Sequence, residues 1–220
     1  MFLFKKLYKP LKDPQRNLIG KVYFIHVPKN GGTSVAKTLG LTSYMHIKAW
    51  EVKASGNNHL LKNNFSFGIV RNPFDRFLSL YNYARMEKSY YHDNIVEPVD
   101  LSRPRHLDFK LLKNASIREC AEYLKNDKLK HDAQWNQWVP QYTWLYDKKG
   151  RKSLVKKIYR FENLEELRKD LNKLDFSISS FPVLNSSSHQ LDYRELIDET
   201  SKKILEEYYE KDLKLFGYKF

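Results

Sequence analysis

The stretch that decides the fold is Val22–Ser34, which reads VYFIHVPKNGGTS. It starts as an apolar, β-rich run and breaks at Pro28, where a strand would end. Two adjacent glycines and then two hydroxyl side chains follow. We expect a short helix over Thr33–Leu39, because Gly40 stands where a helix often ends. The stretch therefore predicts a strand, a tight loop and a helix in succession.

Such a succession is typical of an anion-binding loop. Glycines let the backbone come close to a ligand, and the first N–H groups of a helix carry partial positive charge. Lys29 adds a full positive charge at the mouth of the loop. The lysine precedes the glycines, whereas in a Walker A loop it follows the last glycine. The pattern predicts binding of a phosphate-like group and disfavours a magnesium-dependent nucleotide hydrolase.

A second strand-to-helix turn follows the run Phe65–Val70, which reads as a buried strand. Asn72 is a good N-cap for the next helix, Pro73 suits its first position, and Asp75 suits its first turn. Arg71 comes at the carboxyl end of the strand, where open α/β sheets bind ligands. We expect one face of this helix to pack on the sheet, with the polar side chains opposite. The first face comprises Phe74, Phe77, Leu78 and Tyr81, and the opposite face comprises Asn72, Arg76, Ser79 and Tyr83.

The two turns together resemble the signatures of sulfotransferases that use 3′-phosphoadenosine 5′-phosphosulfate (PAPS). Pro-Lys-x-Gly-Gly-Thr-Ser after a strand is similar to the 5′-phosphosulfate loop of that superfamily. Arg71 followed by Ser79 eight positions later, within Arg-Asn-Pro-x-Asp-Arg-x-x-Ser-x-Tyr, is similar to its 3′-phosphate signature. The resemblance extends from about Lys21 to Tyr218 and favours the bacterial-type carbohydrate branch.

The resemblance implies how the donor PAPS is held. Lys29 would neutralise charge on the bridging oxygen as it leaves, and Arg71 with Ser79 would hold the 3′-phosphate. The residues implied at the 5′-phosphosulfate are Asn30, Gly31, Gly32, Thr33 and Ser34. Ser188 lies in a segment similar to an Asn-x-Ser-x-His loop near the donor, and the alternative is a polar linker that caps the final helix.

Transfer to a sugar hydroxyl needs a general base, and histidine is the commonest choice. His46, with Ala49 and Val52, resembles a His-x-x-Ala-x-x-Val/Ile pattern that opens a short helix in carbohydrate sulfotransferases. Glu51 is the second candidate for the base and His59 is the third. A structural role for His46 stays open as the alternative.

Composition predicts one folded unit that binds acidic partners. The 220 residues suggest a single domain, 1–220, with a basic arm over 1–20 and an acceptor-specificity insertion over 88–150. The 39 Lys and Arg against 26 Asp and Glu give a net charge of +13, which favours anions of any kind. The single cysteine, Cys120, excludes an intramolecular disulfide, and the seven histidines show no metal-ligand spacing. We therefore expect no metal.

Three apolar runs, near residues 21–27, 65–70 and 156–161, each precede a helical pattern. They predict an α/β fold, a P-loop-like three-layer sandwich with a mostly parallel central sheet flanked by helices. Two further helices are expected. One covers Ser116–Leu124 with Ser116 as its N-cap, and a single final helix covers Tyr193–Leu213.

Three side chains outside the two turns also stand out. Arg160 and Glu162 are expected to form a structural ion pair at the end of the last strand. Gln141 is similar to a glutamine in a Pro-Gln-x-x-x-Leu segment of several relatives, to which we assign no role at this point.

The function expected is in-line transfer of a sulfuryl group from PAPS to a carbohydrate hydroxyl, without a metal. The partner would be a glycan or polysaccharide, neutral or anionic, and not nucleic acid. A P-loop-type nucleotide kinase and a non-catalytic polyanion-binding module are the alternatives. We expect a cytoplasmic location, and a peripheral contact of the basic arm with anionic membranes is a second expectation. The identity of the acceptor stays open.

Overall fold

The computed structural model describes residues 13–42, 45–86, 106–129, 137–182 and 192–220, and a four-stranded sheet lies at its centre. In chain order the strands are β1 Leu18–Ile19, β2 Val22–Ile25, β3 Phe65–Val70 and β4 Lys157–Arg160. Their order in the sheet is the same, with β1 antiparallel to β2 and the remaining pairs parallel. The predicted α/β fold with a mostly parallel sheet is confirmed.

The edge strand β1 is an addition to the predicted strands, and it lies within the segment expected to form a basic arm. A 3-10 turn, Pro14–Asn17, leads into it. The Asn17 amide donates to the Phe24 carbonyl at 2.8 Å and to the Met45 carbonyl at 2.9 Å. These bonds fix residues 13–19 on the sheet, and residues 1–12 lie outside the described ranges.

Eleven α-helices occupy much of the described chain. In order they are α1 Gly32–Thr38, α2 Ala49–Ala54, α3 Asn58–Asn63, α4 Pro73–Ala84, α5 Phe109–Leu112, α6 Ile117–Lys125, α7 Tyr142–Leu145, α8 Leu164–Asn172, α9 Tyr193–Leu196, α10 Glu199–Tyr208 and α11 Glu210–Phe216. A 3-10 turn, Phe161–Asn163, joins β4 to α8. The expected caps are present, since Asn72 accepts from the Phe74 N–H at the start of α4, and Ser116 accepts from the Glu119 N–H at the start of α6.

Helices cover both faces of the sheet, as predicted. Successive side chains of a strand point to opposite faces. Phe24 accordingly packs with α1 and α8 on one face, and Ile25 packs with α2, α3, α7 and α11 on the other. The carboxyl ends of the parallel strands β2, β3 and β4 lie at one edge of the sheet. The residues that follow these three strands are therefore neighbours.

The expectation that α4 packs on the sheet with its apolar face is wrong. Phe77 and Leu78 belong to a separate core formed with α6 and α10, which also contains Trp138 and the Cys120 thiol. The reason is that the opposite face of α4 is buried too. Arg76 is 1% exposed there, against the loop that follows β2.

The single final helix expected over Tyr193–Leu213 is instead divided into α9, α10 and α11. Asp198 ends the run, because its backbone is extended and its side chain accepts from the Ser201 N–H at 2.8 Å. An aspartate in this arrangement is an N-cap and starts a new helix. The apolar spacing that predicted one helix continues across residues 197–198, but the Asp198 cap ends one helix and starts the next.

Arg160 and Glu162 bind separate partners instead of each other. Arg160 donates to the Phe216 carbonyl, and its guanidinium lies 4.8 Å from the ring centroid of Tyr218. Glu162 accepts from the Asn72 N–H and from the Tyr218 hydroxyl, both at 2.7 Å. Both side chains thus tie the end of the sheet to residues 216–218.

Several predictions fall partly or wholly outside the described ranges. They concern Ser188, and the parts of the expected insertion at 88–105 and 130–136. Among the helices that the structure describes, none combines the length and apolar character needed to cross a bilayer.

Candidate active site

The loop after β2, residues 28–34 (the anion loop), owes its two glycines to specific neighbours. Gly31 has φ +71°, and a Cβ there would lie 2.7 Å from the Phe161 ring. Gly32 is the first residue of α1, and a Cβ on it would lie 2.0 Å from the His26 ring. No larger residue fits at either position without a shift of an aromatic ring. The backbone of the loop is thus held close against the Phe161 and His26 rings.

Lys29 occupies an unusual position in the anion loop. Its φ is +68°, a left-handed conformation that a non-glycine residue adopts at a cost. Its Nζ lies 4.3 Å from the ring centroid of Tyr83 on α4. Burial, and then the charge of Arg71, lower the pKa of Lys29 to about 8. An anion bound in the loop would relieve the second effect and favour the charged lysine.

Arg71, directly after β3, faces the anion loop. Its Nη1 donates to the Lys29 carbonyl at 3.3 Å, and its Nε pairs with Asp75 Oδ2 at 2.7 Å. The guanidinium stacks on the Phe161 ring at 4.6 Å from the centroid. Ser79, two turns further along α4, is buried at 5% exposure. Arg71 is therefore oriented by an ion pair, a carbonyl and an aromatic face.

Phe161 lies between the two turns and contacts both. It is the neighbour that excludes a side chain at Gly31, and it is also the surface on which Arg71 stacks. The parallel register of β3 with β4 places it there, because Val70 pairs with Arg160 and the next residue on each strand lies at the same edge. The structure thus brings Lys29, Gly31 and Arg71 into one site.

His46 lies beside the anion loop, through its contact with His26. The two rings are 4.2 Å apart between centroids, and His46 Nδ1 lies 3.1 Å from the His26 carbonyl oxygen. A carbonyl only accepts, so Nδ1 carries the proton and Nε2 is the basic nitrogen of the neutral ring. Burial, and then the charges of His46 and Lys29, hold the pKa of His26 well below its usual value.

The other two candidates for the base lie in less suitable surroundings. Glu51 Oε2 accepts from the Lys48 N–H at 2.8 Å, which caps the start of α2. His59 is exposed on α3. The geometry favours His46 among the three.

The side chains of the other anion-loop residues, Asn30, Thr33 and Ser34, differ in burial and direction. Thr33 and Ser34 lie in the first turn of α1, half-buried and buried respectively. The Asn30 side chain points inward and donates to the Ile69 carbonyl and to Gln141 Oε1, both at 2.7 Å. The Asn30 side chain is therefore bonded inside the protein, which leaves its backbone as the part that a ligand in the loop could contact.

Sequence reasoning missed three side chains that shape the site, namely His26, Tyr83 and Phe161. His26 follows β2 directly, Phe161 follows β4 directly, and Tyr83 lies on the helical face shared with Ser79. Their positions, directly after a strand or on the α4 face that carries Ser79, could have identified them as candidates for the site. Within the described ranges, no group of three or more His, Cys, Asp or Glu side chains is arranged to hold a metal ion.

Comparison with known proteins agrees with this geometry. The family described as the sulfotransferase family matches residues 20–219, which include both turns, His46 and Gln141. No curated protein and no solved structure gives a match. Since the match covers most of the chain, this protein belongs to the sulfotransferase family, whose activity is sulfuryl transfer.

Proposed function

We propose that the donor is PAPS and that the acceptor is a carbohydrate hydroxyl. The observation that carries the proposal is the pairing of two cationic groups at adjacent strand ends, joined by the hydrogen bond from Arg71 Nη1 to the Lys29 carbonyl. A donor with anionic groups at both ends needs two such sites. A nucleotide with phosphates on one side only would leave Arg71 unused.

In this proposal the chain supplies fixed positive charge where negative charge develops. The backbone of Gly31 and Gly32 lies against the 5′-phosphosulfate, and Lys29 neutralises the phosphate oxygen as its bond to sulfur breaks. Arg71 and Ser79 bind the 3′-phosphate through a guanidinium fork and a hydroxyl. The preset orientation of Arg71 limits the entropy lost on binding.

His46 is the proposed general base. Its Nε2 accepts the proton of the acceptor hydroxyl while that oxygen forms its bond to sulfur, and the bond from sulfur to the bridging oxygen breaks. The bond between His46 Nδ1 and the His26 carbonyl keeps the ring in the required tautomer and stabilises the imidazolium that results.

A carbohydrate acceptor is supported by an aromatic side chain on α2, the helix that begins three residues after His46. Trp50 on α2 is half-buried, and Lys148 Nζ lies 5.7 Å from its ring centroid. A half-buried indole leaves part of its surface open to a sugar ring. A neighbouring cation, together with the net charge of +13, suits a glycan that carries acidic groups.

The test is a transfer assay with radiolabelled PAPS and a glycan panel, with products read by mass spectrometry. Lys29→Ala should lower turnover at least about 100-fold, as loss of a charge-stabilising group does. His46→Ala should lower kcat by about 10²–10⁴-fold while the affinity for adenosine 3′,5′-bisphosphate changes little. His59→Ala, which removes an exposed histidine from α3, is the matched control and should leave both quantities unchanged.

Three outcomes would contradict the proposal. Undiminished turnover of Lys29→Ala would remove the anion loop from the reaction. A thermal shift with magnesium ATP, and none with adenosine 3′,5′-bisphosphate, would favour a nucleotide kinase instead. A polyanion-binding module would show neither preference and would bind heparin with a steep salt dependence.

A further inference from the structure

The side-chain amide of Gln141 connects the two anion-binding turns. Its Oε1 accepts from Asn30 Nδ2 at 2.7 Å and from the Arg71 N–H at 2.9 Å. Its Nε2 donates to the Arg71 carbonyl at 2.9 Å. Asn30 is an anion-loop residue, and its amide also bonds to the Ile69 carbonyl at the end of β3. A single amide, fully buried, therefore bonds to the loop after β2 and to both backbone groups of the residue after β3.

Asp212 on α11 fixes the orientation of this amide. Its Oδ2 accepts from the Gln141 N–H at 2.6 Å and lies 3.4 Å from Gln141 Nε2, and its Oδ1 accepts from the Tyr142 N–H at 2.8 Å. A flipped amide would set its NH₂ against two other donors, Asn30 Nδ2 and the Arg71 N–H. It would also set its carbonyl oxygen against a carboxylate. The Gln141 amide accordingly has one orientation in which both of its polar atoms have suitable partners.

Arg76 holds the other end of the same segment. Its Nε donates to the Pro28 carbonyl at 3.1 Å, where the anion loop begins. Its Nη1 donates to the Val139 carbonyl at 3.2 Å, and its Nη2 donates to the Gln137 carbonyl. Residues 137–141 are thus bonded to the anion loop at both ends, through two side chains that are almost completely buried.

We propose that Gln141 is a positioning residue, which sets the spacing between the anion loop and Arg71 so that one donor molecule occupies both. The inference rests on the proposed function, because only a ligand with an anionic group at each end reports that spacing. When two binding groups are linked, the second contact adds to affinity only if the geometry lets both be made at once. A ligand that uses one group alone gains nothing from a correct spacing.

The test compares three ligands by titration calorimetry. Adenosine 3′,5′-bisphosphate occupies both turns, AMP carries only the 5′-phosphate, and 3′-AMP carries only the 3′-phosphate. For Gln141→Ala we expect the affinity for the bisphosphate to fall at least about tenfold, while both monophosphates stay within about twofold of wild type. In transfer assays KM for the donor should rise more than kcat falls.

Gln137→Ala is the matched control. It truncates the same side chain in the same segment, where the backbone carbonyl, and not the side chain, bonds to Arg76. It should leave all three affinities unchanged. If Gln141→Ala does not fold, Gln141→Met fills the same space and removes both polar atoms of the amide without placing a second charge beside Asp212. That variant should show the same selective loss.

Equal weakening of all three ligands would overturn the inference, since it would indicate damage to both turns themselves and not to their spacing. Weakening of one monophosphate together with the bisphosphate would overturn it as damage to a single turn. An unchanged affinity for the bisphosphate would overturn it as well. Failure of the proposed function looks different, because then wild-type protein itself binds the bisphosphate no better than AMP. That result would remove the donor assignment and the spacing role together.

Discussion

Lys29 combines a strained backbone with a lowered pKa, and the second property makes donor binding sensitive to pH. Its pKa of about 8 means that the ammonium is lost well below the range usual for lysine. Above pH 8 the free protein must take up a proton at Lys29 to bind an anion there. The affinity for adenosine 3′,5′-bisphosphate should therefore fall above pH 8, approaching about tenfold per pH unit.

Calorimetry between pH 7 and pH 9.5 measures this effect. The phosphate groups keep their charge over the range, because their second pKa lies near about 6. Lys29→Arg is the control, since a guanidinium stays charged throughout and should make the affinity nearly independent of pH. A wild-type affinity that is flat from pH 7 to pH 9.5 would contradict a role for the Lys29 charge in binding.

At the scale of single residues, the sequence predicted positions better than orientations. Lys29 and Arg71 follow adjacent strands and are joined by a hydrogen bond, and His46 lies against His26, while the roles of all three stay predictions. The inward turn of the Asn30 amide was not predictable, because its partner Gln141 is far away in sequence and no local pattern joins the two. The contact of the His26 ring with Gly32 was missed for a different reason, because sequence spacing does not show how the turn between these two nearby residues folds.

Helix α4 depends on its N-cap for more than its own stability. Asn72 accepts from the Phe74 N–H, and its Nδ2 donates to the Tyr193 hydroxyl and to the Lys219 carbonyl, each at 3.0 Å. Asn72→Ala removes a cap and two tertiary bonds, so we expect a loss of about 2–4 kcal/mol in the free energy of unfolding. Urea denaturation measures it.

Ser116→Ala is the comparison, because Ser116 caps α6 at an exposed position. There only the cap is lost, and the expected cost is about 1 kcal/mol. Equal costs for the two variants would show that the bonds of Asn72 to Tyr193 and Lys219 add no stability.

At the scale of helices and strands, capping residues predicted accurately where helices begin. Apolar periodicity was less successful in predicting which element a helix packs against. Pro73 after Asn72 and Glu119 after Ser116 marked where α4 and α6 begin. The partner of the apolar face of α4 was predicted wrongly. Amphipathic spacing shows that a helix face is buried, but it does not identify the element against which that face packs. The break at Asp198 shows that one capping side chain can interrupt an otherwise continuous helical pattern.

The whole molecule carries a net charge of +13, which opposes its own compact state. Raising the ionic strength from about 0.01 M to about 0.15 M shortens the screening length from about 30 Å to about 8 Å. The urea midpoint should therefore rise with sodium chloride over this range. The exposed ion pairs that salt also screens contribute little in comparison.

The double variant Lys148→Glu with Lys149→Glu is the control. Both lysines are exposed, and each change from lysine to glutamate lowers the net charge by two, so the net charge falls from +13 to +9. Its urea midpoint should respond less to salt than that of wild type. A midpoint that falls as salt is added would show that attractive pairs outweigh the repulsion.

For the molecule as a whole, strand-and-helix alternation was enough to predict the layered α/β arrangement. The short strand β1 was not predicted, because two residues give no measurable periodicity. The contacts of residues 216–219 with the carboxyl end of the sheet were equally hidden. They arise from Arg160, Glu162 and Asn72, whose partners no local pattern identifies.

Those late contacts have a consequence for the order in which a nascent chain becomes competent to bind. Synthesis proceeds from the N terminus, so β2, β3 and α4 emerge from the ribosome long before Asp212 and Tyr218. The Tyr218 hydroxyl reaches the Val70 carbonyl, and Asp212 holds the amide that bonds to Arg71. A stalled ribosome that displays residues 1–200 would carry all four strands but neither Asp212 nor Tyr218. Emergence of residues 201–220, and not formation of the strands, is thus the step that brings Asp212 and Tyr218 to the two turns.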